Sequence, residues 1–198
     1  MTPDAHILKP GAVFAGDYRV VRPIAEGGMG AVYLVEQLST GSQRALKVIR
    51  AELLKDAKMV ERFQQEARLS ARIQSDHVVQ VLAAGVDRAT SMPFMVMELL
   101  HGETLLTRVS TKGPLDRDEA AELFEQLCHA LTAAHALGIV HRDLKPENVF
   151  LVKSRRARGG TTVKVLDFGV AKVLAEVRTT STSAIGTPSW MAPEQTEL

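Results

Sequence analysis

The chain has 198 residues, 45 % of them hydrophobic, enough for one domain or two small lobes around a real apolar core. Its 24 basic and 23 acidic side chains leave a net charge of +1, so no global field recruits nucleic acid or an anionic lipid surface, and any polyanion must be held locally. A single cysteine, Cys128, excludes an internal disulfide framework and fits a reducing compartment, and its apolar neighbours predict a buried thiol.

Met1 to Pro10 carries Asp4, His6 and Lys9 but no apolar run, which argues against a secretory signal. The most hydrophobic stretches, Val78 to Val86 and Pro93 to Leu100, fall far short of the ~20 residues that a membrane-spanning helix needs. A cytoplasmic location is expected. From Tyr18 onward the pattern is strand-like. Tyr18 to Ile24, Ala31 to Val35 and Arg44 to Ile49 are apolar or β-branched runs, separated by Gly27-Gly28-Met29-Gly30 and by Ser39-Thr40-Gly41-Ser42, and they predict successive hairpins. Between about Lys58 and Ile73, Met59, Phe63, Ala67 and Ser70 or Ile73 recur at helical spacing among charges, predicting a surface helix that carries Glu66. Val78 to Val86 and Phe94 to Leu99 return to strand character.

Asp116 with Glu119 after Pro114 predicts a capping box, and Gly138 a helix stop. Leu123, Leu127, Leu131, Ala134 and Leu137 would form the buried stripe of the long helix between them. Strands at Val149 to Val152 and Val163 to Leu166 then flank a basic turn, Arg155-Arg156-Ala157-Arg158-Gly159-Gly160, expected to be solvated. Thr179 to Ser183, five consecutive hydroxyl side chains without periodicity, predict a loop. No internal repeat is visible.

Several of these segments carry chemistry. The run Ala25-Glu26-Gly27-Gly28-Met29-Gly30-Ala31-Val32 is a glycine-rich hairpin whose missing side chains would let backbone N–H groups approach phosphate oxygens. It lies strand to strand rather than strand to helix, which argues against a dinucleotide fingerprint or a Walker loop. Lys47 sits among core-type residues and needs a partner, for which Glu66 is the natural candidate. The octapeptide His141-Arg142-Asp143-Leu144-Lys145-Pro146-Glu147-Asn148, followed by Asp167-Phe168-Gly169, sets carboxylate, amide and amine groups at spacings suited to a metal-bound polyphosphate.

Taken in order, the glycine loop, Ala45-Leu46-Lys47, Glu66, the octapeptide, Asp167-Phe168-Gly169 and Ala192-Pro193-Glu194 make the chain resemble a eukaryotic-type (Hanks-type) Ser/Thr protein kinase catalytic domain, bacterial-like in its Gly-Gly-Met-Gly-Ala-Val-Tyr run. The resemblance implies an α+β, bilobal, protein-kinase-like fold. It would comprise a tail at 1–13 and a kinase domain at 14–198. That domain would divide into an N-lobe of antiparallel sheet plus one helix at about 14–98, a hinge at about 98–102 and a partial, mostly helical C-lobe at about 103–198, truncated after Ala192-Pro193-Glu194.

It also implies roles. ATP and Mg²⁺ would be the cofactors, with Ala25, Glu26, Gly27, Gly28, Met29 and Gly30 over the phosphates. Lys47, oriented by Glu66, would hold the α- and β-phosphates. Val32, Ala45 and Phe150 would enclose the adenine, with Met97 as gatekeeper and the backbone of Glu98 and Leu100 bonding the base. Asn148 and Asp167 would hold the metal, Asp143 would take or orient the substrate hydroxyl, and Lys145 would neutralise the γ-phosphate. His141 would pack beneath Phe168 rather than act as a base. Lys145 and Gly186-Thr187-Pro188 resemble Ser/Thr rather than Tyr kinases, and Thr187 would contact Asp143 and Lys145. Arg142 resembles the arginine of kinases whose activation loop is ordered by phosphorylation, with Thr179, Thr180, Ser181, Thr182 and Ser183 as candidate sites. Partners would be protein substrates, together with a second copy during autophosphorylation, with no nucleic acid and no membrane span in this chain, while a longer gene product could be membrane-anchored. Two departures stand out: Ala25 replaces the first glycine of the loop, and Ser70 occupies a helix position that relatives fill with an apolar residue. The competing reading is a truncated non-catalytic nucleotide-binding or regulatory module. A small-molecule kinase ranks third, since the Thr187 loop has no obvious use there.

Overall fold

A computed structural model describes residues 8–27, 30–50, 57–153, 160–168 and 190. The chain divides into two compact units, one of Met1–Ala71 with Gln80–Leu100, the other of Arg72–Val79 with His101–Leu198.

Unit one is built on a six-stranded antiparallel sheet. Its strands are β1 (Val13–Phe14), β2 (Tyr18–Gly27), β3 (Gly30–Gln37), β4 (Ser42–Ile49), β5 (Val81–Val86) and β6 (Pro93–Glu98), in the order β1-β2-β3-β4-β6-β5. Alternation along the strands sorts side chains onto two faces. On one face Val20, Ala31, Tyr33, Val35, Leu46, Val48, Phe94 and Val96 close into a core with Phe14 and Tyr18, where the Phe14 and Phe94 rings meet edge to face at 5.4 Å. Leu8 joins that core, and its backbone N–H donates to the Tyr33 hydroxyl at 3.0 Å. Residues 8–13, expected as tail, are therefore bound across the sheet. Pro23 lies inside β2, where the register with β3 slips between Pro23 and Ala25, as a residue without an N–H requires.

The helix α1 (Ala57–Ser70) packs against β5 and β6 and buries Phe63, Ala67 and Ser70, the helical stripe read from the sequence. The strand expected from Val78 begins only at Val81. Val78 instead bridges to Val165, and the Val79 N–H bonds the Val165 carbonyl at 3.0 Å, so residues 72–79 belong to unit two. Apolar composition alone cannot say which strand a run will pair with.

Unit two contains β7 (Gly102–Thr104), α2 (Leu105–Lys112), α3 (Arg117–His135), a 3₁₀ turn at Pro146–Asn148, β8 (Val149–Lys153) and β9 (Thr161–Val165), with a three-stranded sheet ordered β7-β8-β9. No apolar stripe announces α2, which buries no residue completely and is set by its ends. The Thr104 hydroxyl accepts from the Thr107 N–H, and Gly113, at φ 80°, closes its own N–H on the Val109 carbonyl.

The helix α3 starts as expected, with Asp116 accepting from the Glu119 N–H at 2.8 Å. Only half of the capping box forms, because the Glu119 carboxylate turns to Arg108 at 2.7 Å. Gly138 stops the helix at φ 71°, and the Ile139 N–H folds back on the Ala134 carbonyl. The buried stripe is Leu123, Leu127, Ala130 and Ala134. Leu131 is half-buried, Leu137 is exposed beyond the helix end, and Cys128 is exposed rather than a core thiol. One residue past Leu127 is a rotation of about 100°, which takes the thiol off the buried face.

Candidate active site

In unit one the candidate nucleotide residues share the sheet face opposite the core. Ala25 pairs with Val32, Val32 with Lys47, and Ala45 with both Leu34 and Met97, so cross-strand register sets Ala25, Val32, Ala45, Lys47 and Met97 on one surface. Lys47 is half-buried between Val32 and Met95 on the neighbouring strands. Glu66 stands half-buried on α1. Gly27 and Gly30 pair across the hairpin, and Glu26, opposite Ala31, ion-pairs with Arg50 at 3.4 Å; Gly28 and Met29 lie outside the described residues.

The two ends of the loop differ in what they require. A Cβ at Gly30 would lie 2.0 Å from the Val48 carbonyl oxygen, whereas one at Gly27 would meet nothing within 4 Å. Glu98 ends β6 with its N–H on the Gln80 carbonyl and its carboxylate accepting from the Gln80 N–H, so the backbone group it can offer a base is its carbonyl. Leu100 follows, half-buried, at the end of unit one.

In unit two the octapeptide is a loop held by backbone contacts. The Asn148 amide donates to the Asp143 carbonyl at 2.7 Å and to its carboxylate at 3.1 Å. Lys145 approaches the same carboxylate at 2.9 Å. Asp143, Lys145 and Asn148 are thus already assembled, with the Asp143 carboxylate fixed from two sides. The Asn148 amide nitrogen is committed to Asp143, which leaves its carbonyl oxygen as the donor it can turn to a cation.

His141 supports this loop from below. Its Nδ1 lies 3.3 Å from the Asp143 backbone N–H and must accept, so Nε2 carries the proton and donates to the Leu166 carbonyl at 2.8 Å. Burial holds its pKa below the usual value, and its ring meets Phe168 edge-on at 4.7 Å. A neutral, buried, doubly bonded imidazole is a strut, as the sequence reading expected. Leu166 in turn donates its N–H to the Asn148 carbonyl at 2.9 Å, tying the loop to the segment that leads into Asp167.

Arg142 and Asp167 adopt positive φ, 66° and 59°. Such conformations cost of order 1–3 kcal/mol in non-glycine residues and concentrate at functional sites. Here one precedes Asp143 and the other is the second carboxylate of interest. Phe150, half-buried on β8, pairs with Thr104 and Lys164, while a Cβ at Gly102 would strike the Leu151 carbonyl at 2.0 Å.

Sequence reasoning missed the groups that carry the loop, namely the backbone of Leu166 and the carbonyl of His77, which accepts from Val165 at 2.8 Å. Main-chain groups leave no residue-type signal. Thr179, Thr180, Ser181, Thr182, Ser183 and Thr187 lie outside the described residues. Among the described residues no three His, Cys, Asp or Glu side chains converge on a common point. Asn148 and Asp167 offer amide and carboxylate oxygens instead, a hard donor set that fits magnesium.

One unit thus carries a glycine hairpin, a strand lysine and a helix glutamate, and the other a strutted Asp-Lys-Asn loop before an Asp-Phe pair. Residues 18–197 match the protein kinase domain family, and the chain belongs to it. Among curated relatives it is 46 % identical over 186 residues to the serine/threonine-protein kinase Pkn1 of Myxococcus xanthus, covering 92 % of this chain and 26 % of that protein. It is 41 % identical to pkn2 of the same organism, covering 98 % and 22 %. A solved kinase domain, PknI of Mycobacterium tuberculosis, superposes with a TM-score of 0.72 at 30 % identity, covering 82 % of this chain and 62 % of that one. The chain therefore spans about a quarter of the curated relatives it matches, and its fold is protein-kinase-like.

Proposed function

We propose that this chain is the catalytic part of a protein serine/threonine kinase, transferring the ATP γ-phosphate to Ser or Thr hydroxyls of proteins. The observation that carries the reading is the Asp143 carboxylate, held at 2.9 Å by Lys145 and at 3.1 Å by Asn148. The carboxylate takes or orients the proton of the attacking hydroxyl as the new O–P bond forms and the β–γ bridge bond breaks, ADP leaving. Lys145 balances charge on the transferred group. Lys47, oriented by Glu66, binds the α- and β-phosphates. The glycine loop from Ala25 to Gly30 covers the phosphates, while Val32, Ala45, Phe150 and Met97, with the backbone of Glu98 and Leu100, receive adenine. Asn148 and Asp167 would hold Mg²⁺, which would supply charge neutralisation for the phosphates. In this reading unit one is the N-lobe, 98–102 the hinge and the remainder the C-lobe, working in the cytoplasm where ATP is supplied.

Regulation belongs to the same proposal. Arg142, exposed beside Asp143, would receive a phosphate placed on one of Thr179 to Ser183 by a second copy of the chain, with Thr187 contacting Asp143 and Lys145. The test is ³²P transfer from ATP to a generic protein substrate. Asp143→Asn should lower the rate by about 10²–10⁴-fold, the range for a positioned acid–base group. Equal signal from wild type and Asp143→Asn would remove the enzyme reading and leave the nucleotide-binding or regulatory module.

A further inference from the structure

Away from these residues, unit two carries an open groove of about 430 Å³ whose lining includes Gln74, Ser75, Asp76, His77, His129 and Thr132. The His77 and His129 rings both border it, with centroids 6.1 Å apart and planes inclined by 33°. We propose that this groove is a binding site for a divalent transition metal of the zinc class, with His77 and His129 as its imidazole ligands.

The tautomer of His77 supports the assignment. Its Nδ1 lies 3.2 Å from the Val163 carbonyl, and a carbonyl only accepts, so Nδ1 carries the proton and Nε2 keeps its lone pair. Ligating imidazoles in metal sites are oriented by this kind of bond from the far nitrogen to a backbone carbonyl. Two more contacts fix the loop that presents the ring: the His77 N–H donates to the Ser75 hydroxyl at 3.1 Å, and the His77 carbonyl accepts from Val165 at 2.8 Å. His129, exposed on α3, is the movable partner.

The separation fits a shared ion. With a metal ~2.1 Å from each nitrogen and the ring centre ~1.1 Å beyond, two imidazoles on one ion have centroids between roughly 5.2 Å at a tetrahedral angle and 6.4 Å when opposed. The observed 6.1 Å lies within that interval, and rotation of the exposed His129 side chain would bring a ring nitrogen toward the ion. The softness of paired imidazoles favours zinc, copper or nickel over magnesium. Asp76 lines the groove and places a negative charge beside the ion, but among the described residues no third His, Cys, Asp or Glu joins the pair, so water completes the coordination. Such a site is weaker than a closed structural zinc centre. Bound metal would pin the 74–79 loop to α3, and through Val79 and Val165 to the strand that leads into Asp167.

The experiment is calorimetric titration of Zn²⁺ into the untagged, metal-stripped chain, paired with the electron paramagnetic resonance spectrum of the Cu²⁺ form. His129→Gln alters an exposed helix position and should keep the fold. It is expected to weaken Zn²⁺ binding by about tenfold or more, within the 10–100-fold range known for altered metal-site partners. It should also reduce the nitrogen hyperfine pattern from two ligands to one. His77→Gln should do the same, while His135→Gln, on the same helix away from the groove, should leave both readouts unchanged. Unaltered affinity and hyperfine pattern in His129→Gln, or no heat from wild type at millimolar Zn²⁺, would overturn the site.

Discussion

The imidazole of His141 bonds in two directions at once, and its burial gives that arrangement a pH dependence. Its folded pKa lies below the usual 6.5, so at neutral pH the ring is uncharged in both folded and unfolded chains and nothing is lost. As pH falls through 6.5 the unfolded chain takes up a proton that the folded one resists, and stability declines with acidification until the folded pKa is passed. Melting followed from pH 7.5 to 5 should show this decline in wild type and a shallower one in His141→Gln, which melts lower overall because the ring contact with Phe168 is gone. Parallel slopes would mean that His141 is not the group responsible. The glycine hairpin makes a second residue-scale contrast. Gly30→Ala drives a methyl into the Val48 carbonyl and should cost more than about 2 kcal/mol in denaturant unfolding, whereas Gly27→Ala, with open space at that position, should fall within about 0.5 kcal/mol of wild type. Sequence spacing identified both glycines as phosphate-loop candidates but could not rank them, since the clash depends on how closely β3 and β4 approach.

At the scale of elements, α3 shows which signals a sequence carries. Its start was legible because Asp116 is a local cap, and its stop because Gly138 adopts a conformation that glycine reaches without strain. The buried face was only partly legible. Leu123, Leu127 and Ala134 were read correctly, yet Ala130 replaced Leu131, and Cys128 turned outward, because a stripe drawn through large apolar residues ignores the small ones that permit close packing. The reciprocal half of the capping box failed for a tertiary reason, the competing guanidinium of Arg108. A ranking follows. Asp116→Ala should destabilise the chain by about 1 kcal/mol through the lost cap. Glu119→Ala removes a bidentate pair with the largely buried Arg108, whose guanidinium keeps the Gly113 carbonyl, and should cost about 0.5 kcal/mol or less. Chemical denaturation of the two variants checks the order, and the reverse would show that Glu119 rather than Asp116 anchors the start of the helix.

For the molecule as a whole, binding a nucleotide and transferring its phosphate are separable, and their separation decides between the kinase and the non-catalytic module. The candidate residues for both are legible because each motif is a short local string, whereas the supports of the Asp143 loop come from residues 77, 165 and 166, distant in sequence and mostly main-chain. A ligand that binds only the folded chain raises stability by RT ln(1 + [L]/Kd), about 2.7 kcal/mol at a hundredfold excess over Kd. Mg-ATP should therefore raise the melting temperature of wild type. Lys47→Met and Asp167→Asn remove proposed phosphate and metal contacts and should each abolish most of that rise. Asp143→Asn should keep the rise and lose phosphate transfer, because the partner proposed for its carboxylate is the substrate hydroxyl and not the nucleotide. A thermal shift in wild type without any transfer would assign the chain to nucleotide binding alone. A shift that survives in Lys47→Met would instead remove Lys47 from the nucleotide site, even though it shares a sheet face with Val32, Ala45 and Met97.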